Sequence, residues 1–314
     1  MTRRLNRWLL ILIVLLGLPY YWLLIDNHAG DLPAKAVTIA QLRALAASIP
    51  GAAPTAVENE LVAFRRLSGT LFVSGSGMKR KLVGVMAFRL PVPGKGAIVI
   101  DSGMNPAISA CSNEELYDAE AQARVDQALS SASLILLTHE HPDHAGGLIA
   151  LLSRPGGDAV AAKLRVNPAQ LTPPANDCPA PWPAIPHIKP TLLDQSPLAV
   201  APGVVVIPAP SHTQGSQLIF VRLADGREYL FAGDISSFAL NWQLQRLRSR
   251  LMSQYMKQED RGEVLAWLRT IAALKQQAPK MVVIPGHDFE WIHATKDHHG
   301  VVREFQPPPQ AAGL

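Results

Sequence analysis

From Trp8 to Ile25 the chain carries no charged residue, and Arg3, Arg4 and Arg7 stand just before this run of 18 residues. As a helix it would be about 27 Å long, close to the roughly 30 Å hydrocarbon thickness of a bilayer. The pattern predicts a membrane-spanning helix, kinked at Pro19, with Tyr20, Tyr21 and Trp22 at the interface. The run exceeds a signal-peptide core, and Asn27-His28-Ala29 is a poor cleavage site, so it reads as an uncleaved anchor rather than a removed signal. Arginines before the span stay in the cytoplasm. The rest of the chain is then expected outside it, in the periplasm of a Gram-negative host.

Beyond residue 30 the periodicity becomes that of a layered α/β protein. Thr38 to Gln41 reads as a capping box opening a short amphipathic helix with Leu42 and Leu45. Strands are expected at Glu60–Phe64, Leu71–Val73, Leu82–Leu90, Ala97–Ile100 and Ser133–Thr138, with a helix over Asn113–Ser130. Residues 153–203 are rich in Pro and Gly, and the cluster from Pro173 to Pro190 within them reads as an irregular surface excursion. Strands resume at Val204–Ile207, Gln217–Leu223 and Glu228–Phe231, the last two joined at Asp225-Gly226. Helices over Leu240–Tyr255 and Gly262–Gln277 precede a last strand, Met281–Ile284. The expected division is an anchor over 1–30, a tether with a short helix over 31–56, one catalytic domain over 57–306 and a disordered tail over 307–314.

Composition changes this picture little. With 48% apolar and 17% charged residues the chain is neither disordered nor coiled coil. Its net charge of +4 falls, once the first thirty residues are set aside, to 26 basic against 24 acidic residues, which leaves no electrostatic case for nucleic acid. Cys111 and Cys178 could pair in an oxidising compartment or remain thiols, and neither has metal-ligand spacing.

Candidate chemistry lies where strands end. Thr138-His139-Glu140-His141-Pro142-Asp143-His144 follows a buried strand. On extended chain His139 and His141 point to one side, with Asp143 and His144 on the turn into a helix beginning near Ala145. His212, Asp234 and His287 each follow another apolar strand, beside a small residue or proline. Together these side chains exceed what one tetrahedral zinc with an open position needs, and fit two metals sharing a carboxylate.

In this order, with Asp101 after the strand ending at Ile100, the motifs resemble those of metallo-β-lactamase superfamily hydrolases over roughly residues 60 to 300. The resemblance implies a four-layer αββα sandwich following the N-terminal transmembrane helix. It also implies that His139, His141 and His212 hold one metal, that Asp143, His144 and His287 hold a second, and that Asp234 bridges them. Asp101 would orient the site from behind these ligands. The metals would be two divalent ions, zinc foremost, with iron or manganese compatible with the same ligands.

Such a centre makes a hydroxide from water shared by the two ions and aims it at an acyl carbon or phosphorus, with Asp143 passing a proton to the leaving group. The text around Asp101, His144 and His287 is most similar to N-acyl homoserine lactone lactonases, which implies a small-molecule ester or lactone substrate. The bridging Asp234 distinguishes the chain from zinc β-lactamases. Those lactonases have a tyrosine three positions after the bridging aspartate, where this chain has Ser237. A glyoxalase II-like thioesterase comes next, with no basic cluster standing out near the site, then a phosphodiesterase. The non-enzyme alternative is a silent membrane-tethered binding protein. The remaining histidines, His28, His187, His293, His298 and His299, read as loop or exposed surface residues. Arg246, Arg248 and Arg250 read as a solvated helix face.

Overall fold

Aliphatic and aromatic side chains from two β-sheets meet face to face in a computed structural model that describes residues 3–172, 178–183 and 188–306. The first sheet contains β1 (Val57–Ser68), β2 (Arg80–Val92), β3 (Gly96–Ile100), β4 (Leu116–Tyr117), β5 (Leu134–Leu136), β6 (Leu164–Arg165) and β12 (Val301–Arg303). Their order is β12-β1-β2-β3-β5-β6, with β4 paired to β1. The second sheet runs β11 (Val282–Pro285), β10 (Glu228–Gly233), β9 (Gln217–Arg222), β8 (Val204–Pro208) and β7 (Leu198–Ala201).

The two-residue period of the strands builds the layers. Ile98 and Ile100 point inward with Met86, Phe88 and Leu90, against Val206, Ile219, Val221 and Phe231 of the second sheet. Val99 and Ile135 point outward, beneath α5 (Ala119–Ser131) and α6 (Pro142–Leu152). Val205, Ile207 and Phe220 of the second sheet are covered by α9 (Arg261–Gln277) and α2 (Ile39–Ala46). This is the αββα sandwich that the resemblance implied. Shorter helices complete it: α3 (Gly69–Phe72), α4 (Pro106–Ser112), α7 (Gly157–Ala161), α8 (Ala239–Leu244) and α10 (Phe289–Ile292).

At the N-terminus α1 (Arg3–Tyr20) continues as a π-helical turn, Tyr21–Ile25. Pro19, with no N–H to return to the helix, stands beside that change of winding. The helix is long and apolar enough to cross a membrane, and none of it is buried in the protein. Thr38 accepts from the Gln41 N–H and caps α2, whose Ile39, Leu42 and Ala46 are buried on the second sheet.

Several local expectations are overturned. Leu71 and Phe72 lie in α3 rather than a strand. The helix expected from Asn113 starts six residues later, because Asn113 closes α4 with a φ of 55°, Leu116–Tyr117 pairs with β1, and Asp118 caps α5. The helix expected over Leu240–Tyr255 stops at Leu244, where Gln245 takes a φ of 51°, and only a π-helical turn, Leu251–Met256, follows. The late histidines are not a free surface: His299 stacks on Trp291 at 4.3 Å, and His293 Nε2 lies 3.1 Å from Asn59 Oδ1. Within the Pro- and Gly-rich stretch the described residues include α7, β6 and β7. His187, part of the Pro173–Pro190 cluster and the tail from residue 307 lie outside the described residues.

The two cysteines are joined. A Cys111–Cys178 disulfide, with Cα atoms 6.0 Å apart, ties the end of α4 to the excursion. Cys178→Ala is expected to lower unfolding free energy by roughly 2–4 kcal/mol, the usual worth of closing a long loop. Denaturation with and without reductant checks this, and a midpoint insensitive to both reductant and substitution would contradict it.

Candidate metal centre

Four strand ends deliver the polar residues to one edge of the sandwich. After β5 the chain leaves the sheet through Thr138–His141, and Pro142 occupies the first turn of α6, where its missing N–H costs nothing. His139 and His141 therefore precede the helix, while Asp143 and His144 lie on its first turn. His212 follows β8, Asp234 follows β10, and His287 follows β11. Glycine permits the close approach: a Cβ on Gly286 would lie 2.4 Å from Asp234 Oδ1.

Ligand-capable atoms gather in two sets, each within 4.8 Å: His139, His141, His212 and Asp234 in one, Asp143, His144 and His287 in the other. His141 Nδ1 lies 2.9 Å from His139 Nε2 and 3.0 Å from His212 Nε2. Asp234 stands between the sets. Its Oδ2 is 3.5 Å from His212 Nε2 and 3.9 Å from His139 Nε2, while Oδ1 is 2.9 Å from His287 Nε2 and 3.8 Å from His144 Nε2.

The ring nitrogens turned away from the centre are held by outer partners, which sets the orientation of each imidazole. Asp101, at a φ of 59°, accepts from the Thr138 N–H at 2.7 Å and holds His144 Nδ1 at 2.9 Å. His287 Nδ1 donates to the Gly84 carbonyl at 2.8 Å. Glu259 Oε2 lies 2.9 Å from His212 Nδ1. Glu140 accepts from Thr213 Oγ1 at 2.8 Å and from the Gly215 N–H at 3.1 Å, joining the His139 and His212 loops.

The donor set fits divalent cations. Burial, reinforced by neighbouring imidazoles at His139 and by Arg248 at His212, holds both histidines in the neutral form that ligates. His144 Nε2 is buried without a hydrogen-bond partner. Burial alone would lower this group, but Asp101 and Asp143 outweigh it and push it up to about 10, so it carries a proton that a bound cation would displace. Burial opposes ionisation of Asp234 as well, yet His287 and Arg248 keep its carboxyl well below the usual range.

All seven sequence-expected residues and Asp101 therefore converge. Arg248 does not behave as expected. It is buried rather than solvated: the backbone leaves the helix at Gln245, and the guanidinium turns inward to donate to Asp234 Oδ2 at 2.5 Å and to Ser237 Oγ. Arg250 is paired with Asp26. The basic groups that composition did not reveal are thus present, with Arg65, Arg248 and Lys257 lining the cavity beside Phe72, Val83 and Met252. Glu259 is equally invisible in sequence, since it belongs to no motif.

Glu114 lines the same cavity. Burial lifts its carboxyl to about 7, only partly countered by Arg65. The folded state then binds its proton more tightly than the unfolded chain, so stability falls as pH rises from about 4.5 to about 7 and is level above that. In metal-free protein Glu114→Gln is expected to be more stable than the parent by roughly 1–2 kcal/mol at pH 8, allowing for solvent screening, and equal to it near pH 4. A gain that is the same at both pH values would refute this origin.

Comparison with known proteins agrees with this geometry. The family model described as "Metallo-beta-lactamase superfamily" matches residues 86–287. No curated protein sequence matches the chain. Among solved structures, an N-acyl homoserine lactone hydrolase with N-hexanoyl-L-homoserine at its catalytic metal center is 19% identical, at a TM-score of 0.58 over 78% of this chain and 97% of that one. A variant of B. thuringiensis AiiA with N-decanoyl-L-homoserine at its active site is 18% identical, at 0.57 over 78% and 97%. A probable metal-dependent hydrolase from Staphylococcus aureus is 13% identical, at 0.54 over 76% and 91%. With the sandwich, the His/Asp cluster at its edge and a family model spanning well over half its length, the chain belongs to the metallo-beta-lactamase superfamily, as a metal-dependent hydrolase.

Proposed function

We propose that this hydrolase holds two divalent ions, zinc foremost, and opens an ester or lactone bond in a small molecule. The observation that carries the reading is the position of Asp234. Its Oδ2 faces His139 and His212 and its Oδ1 faces His144 and His287, the disposition of a carboxylate shared by two ions. His139, His141 and His212 would hold one ion, and Asp143, His144 and His287 the other. When bound, the ions supply Lewis acidity and acidify water enough for attack near neutral pH.

The remaining work belongs to the chain. Asp101, Glu259 and the Gly84 carbonyl fix the ring orientations of His144, His212 and His287. Asp143 lines the cavity with its side chain 29% exposed, so it can reach a substrate. Burial would raise its carboxyl, but protonated His144 and His287 hold it below the usual range and ionised; once both imidazoles serve as neutral ligands that pull is lost, and Asp143 would take up a proton and pass it to the leaving oxygen. Arg65, Arg248 and Lys257 favour a second reading in which an anionic group lies beside the scissile bond, as in a thioester acid or a phosphodiester.

We further propose that Arg3–Ile25 anchors the chain in a membrane with the catalytic domain outside the cytoplasm. The arginines in the first two turns of the helix and the disulfide in the domain support this topology. The test is a panel of lactones, thioesters, phosphodiesters and β-lactams on the full chain, with metal quantified. Lactone turnover proportional to two bound ions per chain is expected. Preferred thioester or phosphodiester turnover would replace the lactone reading with the second one, and turnover indifferent to chelation would end both.

A further inference from the structure

The apolar N-terminal helix is bolted to the domain. The Leu24 carbonyl accepts from the Gly75 N–H and from Thr70 Oγ1, each at 2.9 Å. Asp26 pairs with Arg250 at 2.6 Å. Asn27 Oδ1 accepts from the Leu247 N–H at 2.8 Å and from Ser74 Oγ at 3.1 Å, and its Nδ2 donates to the Gln245 carbonyl at 3.0 Å. Trp22 lies 6.3 Å from the Tyr255 ring, with the Arg250 guanidinium 5.3 Å above its face. These receiving groups lie in residues 70–75 and 245–255, and Arg261 adds a bond to the Asp26 carbonyl at 3.3 Å.

The same two segments form one wall of the cavity at the His/Asp cluster, through Phe72, Arg248 and Met252. The π-helical turn Leu251–Met256 is common to both. Met252 lines the cavity, while Leu251 and Tyr255 share an apolar groove with Leu18, Pro19, Trp22 and Leu23. One helical turn is only about 10 Å across, so the reactive centre stands close to the point where the anchor leaves the bilayer. The surface around that point is apolar: Leu244, Tyr255 and Met256 are 58%, 63% and 53% exposed. If Trp22 sits at the headgroup level, so does the Tyr255 ring that touches it.

We infer that the face carrying Leu244, Leu251, Tyr255 and Met256 rests on the bilayer surface. The cavity beside it takes its substrate from there: an amphiphile whose apolar tail lies along Phe72, Val83 and Met252 and whose hydrolysable head reaches the His/Asp cluster. The inference rests on the anchor and hydrolase readings above. It deepens them by making the substrate membrane-partitioned rather than freely soluble.

The test uses the full chain in nanodiscs of phosphatidylcholine and phosphatidylglycerol. Tyr255→Cys carrying a bimane label is compared with Lys280→Cys, an exposed position past the far end of α9, about 25 Å along that helix from the anchor. Lipids with a nitroxide near the headgroup are expected to quench the label at 255 several-fold more than at 280. Equal, weak quenching at both would overturn the inference. A second arm compares long- and short-chain N-acyl homoserine lactones. Tyr255→Ser with Met256→Ser should lower the long-to-short turnover ratio about tenfold in nanodiscs, and an unchanged ratio would remove the substrate half of the inference. The label reports without turnover. A chain that hydrolyses no lactone but is quenched at 255 would count against the lactone reading and leave the docked face standing.

Discussion

His139→Ala and Asp234→Ala are each expected to lower hydrolysis by at least about 10³-fold, a loss of roughly 4 kcal/mol of transition-state stabilisation, with loss of bound metal. Asp234 should be the more damaging of the two. Its oxygens face both ligand sets, and without it His144 and His287 also lose the carboxylate that lies 3.8 and 2.9 Å from their Nε2 atoms. Asp101→Asn should act more mildly, at about 10- to 100-fold in metal affinity, because of the ligands it meets His144 Nδ1 alone, its other bonds going to the Thr138 N–H and Oγ1. Metal content by mass spectrometry, beside turnover of the best substrate, orders the three. A chelator-treated Asp234→Ala protein that retained full turnover would sink the metal mechanism altogether.

That experiment uses residues which could be chosen from the sequence, and the reason is physical. His139 to His144 and the singly placed His212, Asp234 and His287 each follow an apolar strand, the first in one sheet and the others in its partner, and strand ends at one edge of two packed sheets are brought together by the sandwich itself. Local pattern was enough to find them. Arg248 was not legible for the opposite reason. Leu244, Leu247 and Leu251 keep helical spacing through it, yet Leu247 is buried in the core between the second sheet and α9, its N–H held by Asn27, and Gln245 has left the helix, so tertiary packing overrides periodicity there. The wrong helical reading placed in solvent a guanidinium that touches the centre. Leu71–Val73 failed differently, since so short an apolar run suits a strand or a helical turn equally. Glu259 carries no local signal because its partner, His212, is 47 residues away.

Gly147→Ala is expected to be far more damaging than Gly146→Ala, although the two glycines are adjacent on α6 and both are buried. A Cβ on Gly146 would meet only the tip of the Ile108 side chain at 2.4 Å, its next neighbours lying at 3.6 and 3.8 Å. Rotation of Ile108 relieves that contact, and alanine in a helix returns roughly 0.5–1 kcal/mol over glycine, so the net change should stay within about 1 kcal/mol. A Cβ on Gly147 would lie 2.0 Å from the Ser102 carbonyl oxygen and 2.6 Å from Gln122 Nε2. Backbone cannot rotate away. Ser102 is itself fastened to α6, its N–H and Oγ both donating to the His144 carbonyl and its Oγ accepting from the Leu148 N–H. The helix must therefore lift off the loop that carries Asp101, taking Asp143 and His144 with it. A cost of about 2–3 kcal/mol in stability follows from overpacking. Displacement of the ligands by about 1 Å should lower turnover about 10²-fold. Denaturation and turnover measured on both variants decide the matter: equal behaviour would mean that α6 does not hold the ligands against Ser102 in the way its contacts imply.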